Sequence, residues 1–233
     1  MVEIVNNLFR NKLAKVGSIL ILAWAFSIGA VSTANAALML RLDDLTTAGI
    51  EVTVTDQGAG DMSPTAGVIV FIGPVGGFTI NVSTGVNNTT LGAALIPSLD
   101  LNSINFTMGT GSLDVYLTDT GFTALGPAMM SIGGVSAGNV TYAAWADGSN
   151  IAFATGNPLG ILGPFSGAFS GTMGMVGLAA SSTPYSLTQR VSIVHTAAGA
   201  TSFNATLVVP EPGTLVLLGL ALVGVAVFAR RRK

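Results

Sequence analysis

The chain has 233 residues, half of them hydrophobic and only 9% charged, with a formal net charge of −2. That length allows one domain or two, and the absence of cysteine removes disulfides, thiolate metal sites and cysteine nucleophiles together. Seven of the nine basic residues lie in the first 36 and last 25 positions. Residues 37–208 therefore hold two cations, Arg41 and Arg190, against nine acids, a formal −7 that excludes nucleic acid and anionic headgroups as partners.

Residues 1–36 follow the three-part pattern of a secretory signal: Arg10, Lys12 and Lys15, an apolar stretch over 16–30, then Ala34-Asn35-Ala36. Small residues at Ala34 and Ala36 predict signal-peptidase cleavage before Ala37. The apolar stretch falls short of the ~20 residues of a lasting transmembrane helix, which favours removal over a permanent anchor. The expected partners of this segment are the secretion translocon and signal peptidase.

The body, 37–208, is dominated by period two. Residues 50–55, 78–83, 113–118 and 203–207 alternate apolar with polar, as strands with one buried face do. Weaker strands are expected at 38–42, 68–72, 101–108, 140–145, 151–154 and 187–195. Turns are expected at Gly58-Ala59-Gly60, Gly73-Pro74, Gly76-Gly77, Asn87-Asn88, Gly133-Gly134, Asp147-Gly148 and Asn157-Pro158. About ten short strands without a long amphipathic helix predict an all-β fold, an antiparallel β-sandwich or jelly roll. Residues 156–177, with seven glycines, read either as a long loop or as irregular edge strands. Two strands share an ending, Thr55-Asp56-Gln57-Gly58 and Thr118-Asp119-Thr120-Gly121, which turn chemistry explains.

The body owns few groups for catalysis. His195 is the only histidine, so a conventional zinc site lacks ligands, and its place among Val191 and Ile193 reads as structural. Nine carboxylates permit a glycosidase-like pair, but no motif singles one out. The expectation is a non-catalytic body. The best binding constellation is 56–61, where Asp56 and Asp61 flank a Gly-Ala-Gly hinge and could wrap one calcium ion, with Asp43, Asp44 or Asp119 as extra ligands; the alternative is a well-capped turn. No other cofactor is expected. Trp145, Tyr142 and Tyr116 could offer a sugar-stacking face, yet read first as core and cross-strand pairs.

At the C-terminal end Val209-Pro210-Glu211-Pro212-Gly213 leads into an apolar stretch, 215–229, and then Arg230, Arg231, Arg232 and Lys233. Pro210 and Pro212 hold the backbone extended, as a protease-binding strand requires. Fifteen helical residues span ~22 Å against ~30 Å of hydrocarbon, a marginal anchor, and the terminal cations keep that end cytoplasmic. In this order the features of 209–233 resemble the PEP-CTERM sorting signal of Gram-negative bacteria. The resemblance implies recognition and processing by an exosortase, a membrane-embedded cysteine protease, and association with exopolysaccharide. A plain C-terminal membrane anchor is the alternative. The body also resembles a group of PEP-CTERM proteins of unassigned function, through Thr55-Asp56 with Gly60-Asp61, residues 64–69 and Tyr185-Ser186-Leu187-Thr188-Gln189.

These readings predict three segments: signal peptide 1–36, β-sandwich 37–208 and sorting signal 209–233. The expected function is that of an exported envelope or matrix protein. It would be an inner-membrane precursor, then sorted by an exosortase to the surface or the exopolysaccharide. The alternative is a calcium-dependent glycan-binding or adhesion module.

Overall fold

A computed structural model describes residues 38–87, 97–178 and 183–210. The signal segment with Ala34, Ala36 and Ala37, and the tail from Glu211 through Pro212, Gly213 and Arg230 to Arg232, lie outside the described residues, as do both predicted apolar helices. The alternating runs form strands because extended backbone sends successive side chains to opposite faces, which lets one face bury its leucines and valines. In chain order these are β1 (Met39–Asp44), β2 (Val52–Thr55), β3 (Val68–Val75), β4 (Phe78–Asn87), β5 (Ser98–Thr107), β6 (Gly111–Phe122), β7 (Ala128–Asp147), β8 (Asn157–Val176), β9 (Tyr185–His195) and β10 (Gly199–Val208). Every pairing is antiparallel, so the predicted all-β class holds.

The strand order is β2-β1-β6-β9-β7-β10-β5-β4-β3, with β8 along the other side of β7. The long strand β7 is what turns this path into two layers. Its first half pairs with β10, from Met129↔Val208 to Ser136↔Thr201, and its second half pairs with β9, from Asn139↔Val194 to Asp147↔Ser186. One layer is thus β7-β10-β5-β4-β3 and the other β7-β9-β6-β1-β2, and β1 and β6 pack back against β3, β4 and β5. The changeover falls at Gly138, where a Cβ would collide with the Val194 carbonyl oxygen.

Leu40, Leu42, Val115, Leu117, Val191 and Ile193 fill the core from one layer, and Ile80, Leu99, Leu101, Phe203, Ala205 and Leu207 from the other. Each of these side chains except the small Ala205 contributes about 1.5–3 kcal/mol on burial, which a fold without disulfides needs. The layers are also tied at one rim, where the Asp44 carboxylate ends β1 and accepts the Gly77 N–H of the β3–β4 turn at 2.6 Å.

Five expectations give way. Gly133-Gly134 lies inside β7 and Gly73-Pro74 inside β3 at a bulge, because ladder bonds from neighbouring strands hold both extended. Asn157-Pro158 opens β8 rather than forming a turn, and residues 156–177 are largely that edge strand, bulged where it pairs β7. Residues 151–154 are no strand: Asn150 and Phe153 take positive φ, and the segment folds back on itself. Asp119-Thr120-Gly121 sits at an irregularity within β6, so only Asp56 ends its strand as expected.

Candidate functional site

The body's two cations meet on the outer face of the β1-β6-β9-β7 layer. Leu40, Leu42, Val115, Leu117 and Val191 point inward, so Arg41, Tyr116 and Arg190 between them point outward. Register aligns them, Arg41 opposite Tyr116 and Tyr116 opposite Arg190, while Trp145 stands two residues along β7 from the partner of Arg190. The Arg190 guanidinium lies 5.8 Å from the Tyr116 ring centre and 5.3 Å from that of Trp145. The Arg41 guanidinium lies 5.9 Å from Tyr116 and 3.8 Å from Phe153. Tyr116 and Phe153 meet edge to face at 6.3 Å.

The result is a ladder in the order Phe153, Arg41, Tyr116, Arg190, Trp145. Each cation–ring contact of this kind is worth about 0.5–2 kcal/mol. Phe153 arrives on the loop after β7, which is laced to the sheet by three bonds: Phe153 N–H to Thr118 Oγ1 at 3.2 Å, Ile151 N–H to Asp147 Oδ2 at 3.1 Å, and Ser186 O–H to the Ile151 carbonyl at 2.7 Å.

Acid lies under and beside the ladder. Asp114 is 4% exposed, and its Oδ2 receives the Tyr116 hydroxyl at 3.2 Å and pairs with Arg190 Nη1 at 3.5 Å. Burial, and then the Asp114 charge, push the Tyr116 phenol up despite the opposing hydrogen bond and charge of Arg190, so it stays protonated. Burial and the neighbouring Glu51 and Asp114 raise Asp43, against the pull of Arg41. The face offers ring edges, two oriented guanidiniums and the carboxylates of Asp43 and Asp114.

Of the aromatics that read first as core and cross-strand pairs, Tyr142 is core and two others pair on the outer face. Tyr142 is fully buried on the inward face of β7, donating to Gln189 Oε1 at 2.8 Å, whereas Tyr116 and Trp145 share the outer face.

The loop 56–61 holds its carboxylates against backbone. Asp61 Oδ2 accepts the Gln57 N–H at 2.9 Å, and Oδ1 accepts those of Ser63 at 2.9 Å and Val70 at 3.0 Å. Asp56 Oδ2 accepts the Gly67 N–H at 2.8 Å. Asp44 and Asp119 likewise accept N–H groups of Thr46 and Thr120. Among the described residues no group of three or more His, Cys, Asp or Glu is arranged to hold a metal. His195 is 3% exposed with Nε2 2.9 Å from Thr201 Oγ1, and that hydroxyl lies 2.6 Å from Ser136 Oγ. Burial lowers its pKa, and it sits as a structural residue of the core end.

The last strand runs directly into the tail. Val209 is fully buried with its N–H on the Pro97 carbonyl at 2.8 Å, and Pro210 is half-buried against Gly126. Fold and tail together define an antiparallel β-sandwich joined without a linker to a C-terminal signal. Residues 208–233 match the family model described as PEP-CTERM protein-sorting motif, so the chain carries that sorting motif.

No curated protein sequence matches the chain. Among solved structures it is similar to a carbohydrate-binding module in complex with β-1,4-galactotriose, at 11% identity over 65% of this chain and 92% of that one, with a TM-score of 0.38. A carbohydrate-binding module of the β-sandwich superfamily is 13% identical over 73% and 72%, TM-score 0.32. A glycoside hydrolase domain of Endo-D from Streptococcus pneumoniae is 12% identical over 48% and 18%, TM-score 0.29. Similarity of this degree assigns neither ligand nor activity.

Proposed function

We propose that the protein is an exported, non-catalytic component of the cell envelope or extracellular matrix, sorted by an exosortase through residues 209–233. The observation that carries this reading is the sorting motif at 208–233, continuous with the last strand of the sandwich. The signal segment delivers the body through the translocon, signal peptidase cuts before Ala37, and the apolar tail holds the precursor in the inner membrane until processing. The lysine-free, acidic body then suits a neutral exopolysaccharide. The test is fractionation and intact mass of the full chain in cells with and without their exosortase. Loss of 215–233 only where the enzyme is present is expected, and an unchanged mass in both would leave a plain anchor.

The glycan-binding reading is favoured by one specific observation, the cation–aromatic ladder from Phe153 to Trp145. Guanidinium and carboxylate groups bind sugar hydroxyls, and the aromatic edges beside them pack against sugar C–H groups. A glycan array with wild type and Trp145→Ala, each with and without chelator, tests it. Binding lost in the variant supports the face, and binding lost with chelator that is also lost in Asp61→Asn brings Asp56 and Asp61 in as calcium ligands.

A further inference from the structure

Among the described residues the sheet ends in three edges, and two are blunted. β2 is four residues long. β3 has both polar groups of Val70 occupied, its N–H by Asp61 Oδ1 and its carbonyl by the Met62 N–H at 2.8 Å, and it is further broken at Gly73-Pro74. The third edge, β8, is twenty residues long and pairs with β7 alone. Its first half carries Pro158 and Pro164 and three of its four register irregularities. Its second half does not: from Gly167↔Ser136 to Met173↔Met130 it follows β7 residue for residue, leaving the outer row of backbone N–H and carbonyl groups without a strand.

We infer that residues 168–172 of β8 form a self-association edge, pairing antiparallel with the same segment of a second copy. Three features choose this partner. An open row of backbone groups is completed by another strand. Charge allows a second copy here and opposes it elsewhere: residues 37–208 carry a formal −7, yet no residue from Gly148 to Gln189 is charged. Edge strands are ordinarily guarded by charge or proline, and this half has neither.

The sequence Ala168-Phe169-Ser170-Gly171-Thr172 is also self-complementary about its centre. With a two-fold axis at Ser170, Ser170 faces Ser170, Ala168 faces Thr172, and Phe169 faces Gly171. Within the chain the Phe165 ring lies over Gly171 and the Phe169 ring over Gly134, the two rings stacked with centres 5.2 Å apart and planes 5° from parallel. The exposed small side chains of Ala168, Ser170 and Thr172 permit close approach. The assembly is a closed, isologous dimer, joined edge to edge.

The chain has no cysteine, so one introduced thiol reports cleanly. In the full-length protein under mild oxidation, Ser170→Cys should form a disulfide-linked dimer at least tenfold faster than Ser202→Cys, an exposed position on the outer face of mid-sheet strand β10. Equal rates for the two variants would overturn the inference. Light scattering on the detergent-solubilised full chain supplies a second measurement. Wild type should weigh two chains and Ser170→Lys, which opposes two cations at the centre, one chain with an unchanged melting temperature. A monomeric wild type, or a dimer that survives Ser170→Lys, would also overturn it.

Discussion

The N–H of Val209 donates to the carbonyl of Pro97 at 2.8 Å, so the first residue of the sorting sequence makes the last rung between β10 and the segment leading into β5. Val209 is fully buried, and Pro210 follows it half-buried against Gly126. The folded body therefore withholds both residues from a protease that needs extended chain. The mature protein is expected to keep Val209 and Pro210, with the cut beyond them. Intact mass reads the terminus directly. A chain ending at Val208 should also melt several degrees below one ending at Pro210, because a buried valine is worth about 1.5–3 kcal/mol. Identical melting curves would return Val209 to the tail.

Asp61 yields a second prediction. Its carboxylate accepts three backbone N–H groups, one of them from β3, and so closes the open rim between β2 and β3. Asp61→Ala should destabilise the body by about 1–3 kcal/mol in calcium-free buffer, since three donors lose their acceptor. Urea unfolding with chelator present measures this. A loss seen only when calcium is supplied would make Asp61 a metal ligand instead of a cap.

What sequence reveals here depends on how far apart the cooperating residues are. Alternation at 50–55, 113–118 and 203–207 is a local property; the last four residues of the first run form β2, and the other two runs lie in β6 and β10. Gly133-Gly134 and Gly73-Pro74 look like turns locally, but their conformation is set by neighbouring strands that are distant in sequence. The ladder is harder still to foresee, for Tyr116 and Arg190 are 74 positions apart and meet only through register. A usable signal did exist: Arg41 stands between Leu40 and Leu42, and Tyr116 between Val115 and Leu117, so parity puts both on the outer face. Phe153 offered none, because it reaches Arg41 from a loop that reads as a strand.

Tyr142 and Trp145, on opposite faces of β7, furnish a third prediction. Tyr142 is buried, its phenol pushed up by burial and then by the charge of Asp100, and it donates to Gln189 Oε1. Tyr142→Phe leaves that oxygen unpaired in the core and should destabilise by about 1–3 kcal/mol without touching ligand binding. Trp145→Ala should show the reverse pattern, a small change in melting temperature with glycan binding weakened at least tenfold. Equal effects of both on binding would remove the outer face as the site.

His195 carries the fourth prediction, which concerns pH. The ring is buried against Phe78, with centres 6.3 Å apart, and its Nε2 lies 2.9 Å from Thr201 Oγ1. Burial disfavours the imidazolium, so the folded pKa lies below the unfolded value of ~6.5. Above ~6.5 both states are neutral and the full stability is present. As pH falls below it, the unfolded chain takes up a proton that the folded chain refuses, and stability declines until the folded pKa is reached. The slope can approach but not exceed ~1.4 kcal/mol per pH unit. Asp43 and Asp100 act with the opposite sign: burial raises both, so the folded state binds their protons first and gains stability as the pH drops through them. Because His195 is the only histidine in the chain, a loss of stability between about pH 6.5 and 5.5 belongs to it. Melting temperatures at pH 7.5, 6.5 and 5.5 should fall by a few degrees over the lower interval for wild type and stay level for His195→Gln. A variant that loses stability as steeply as wild type would show that the buried imidazole is not the group being protonated.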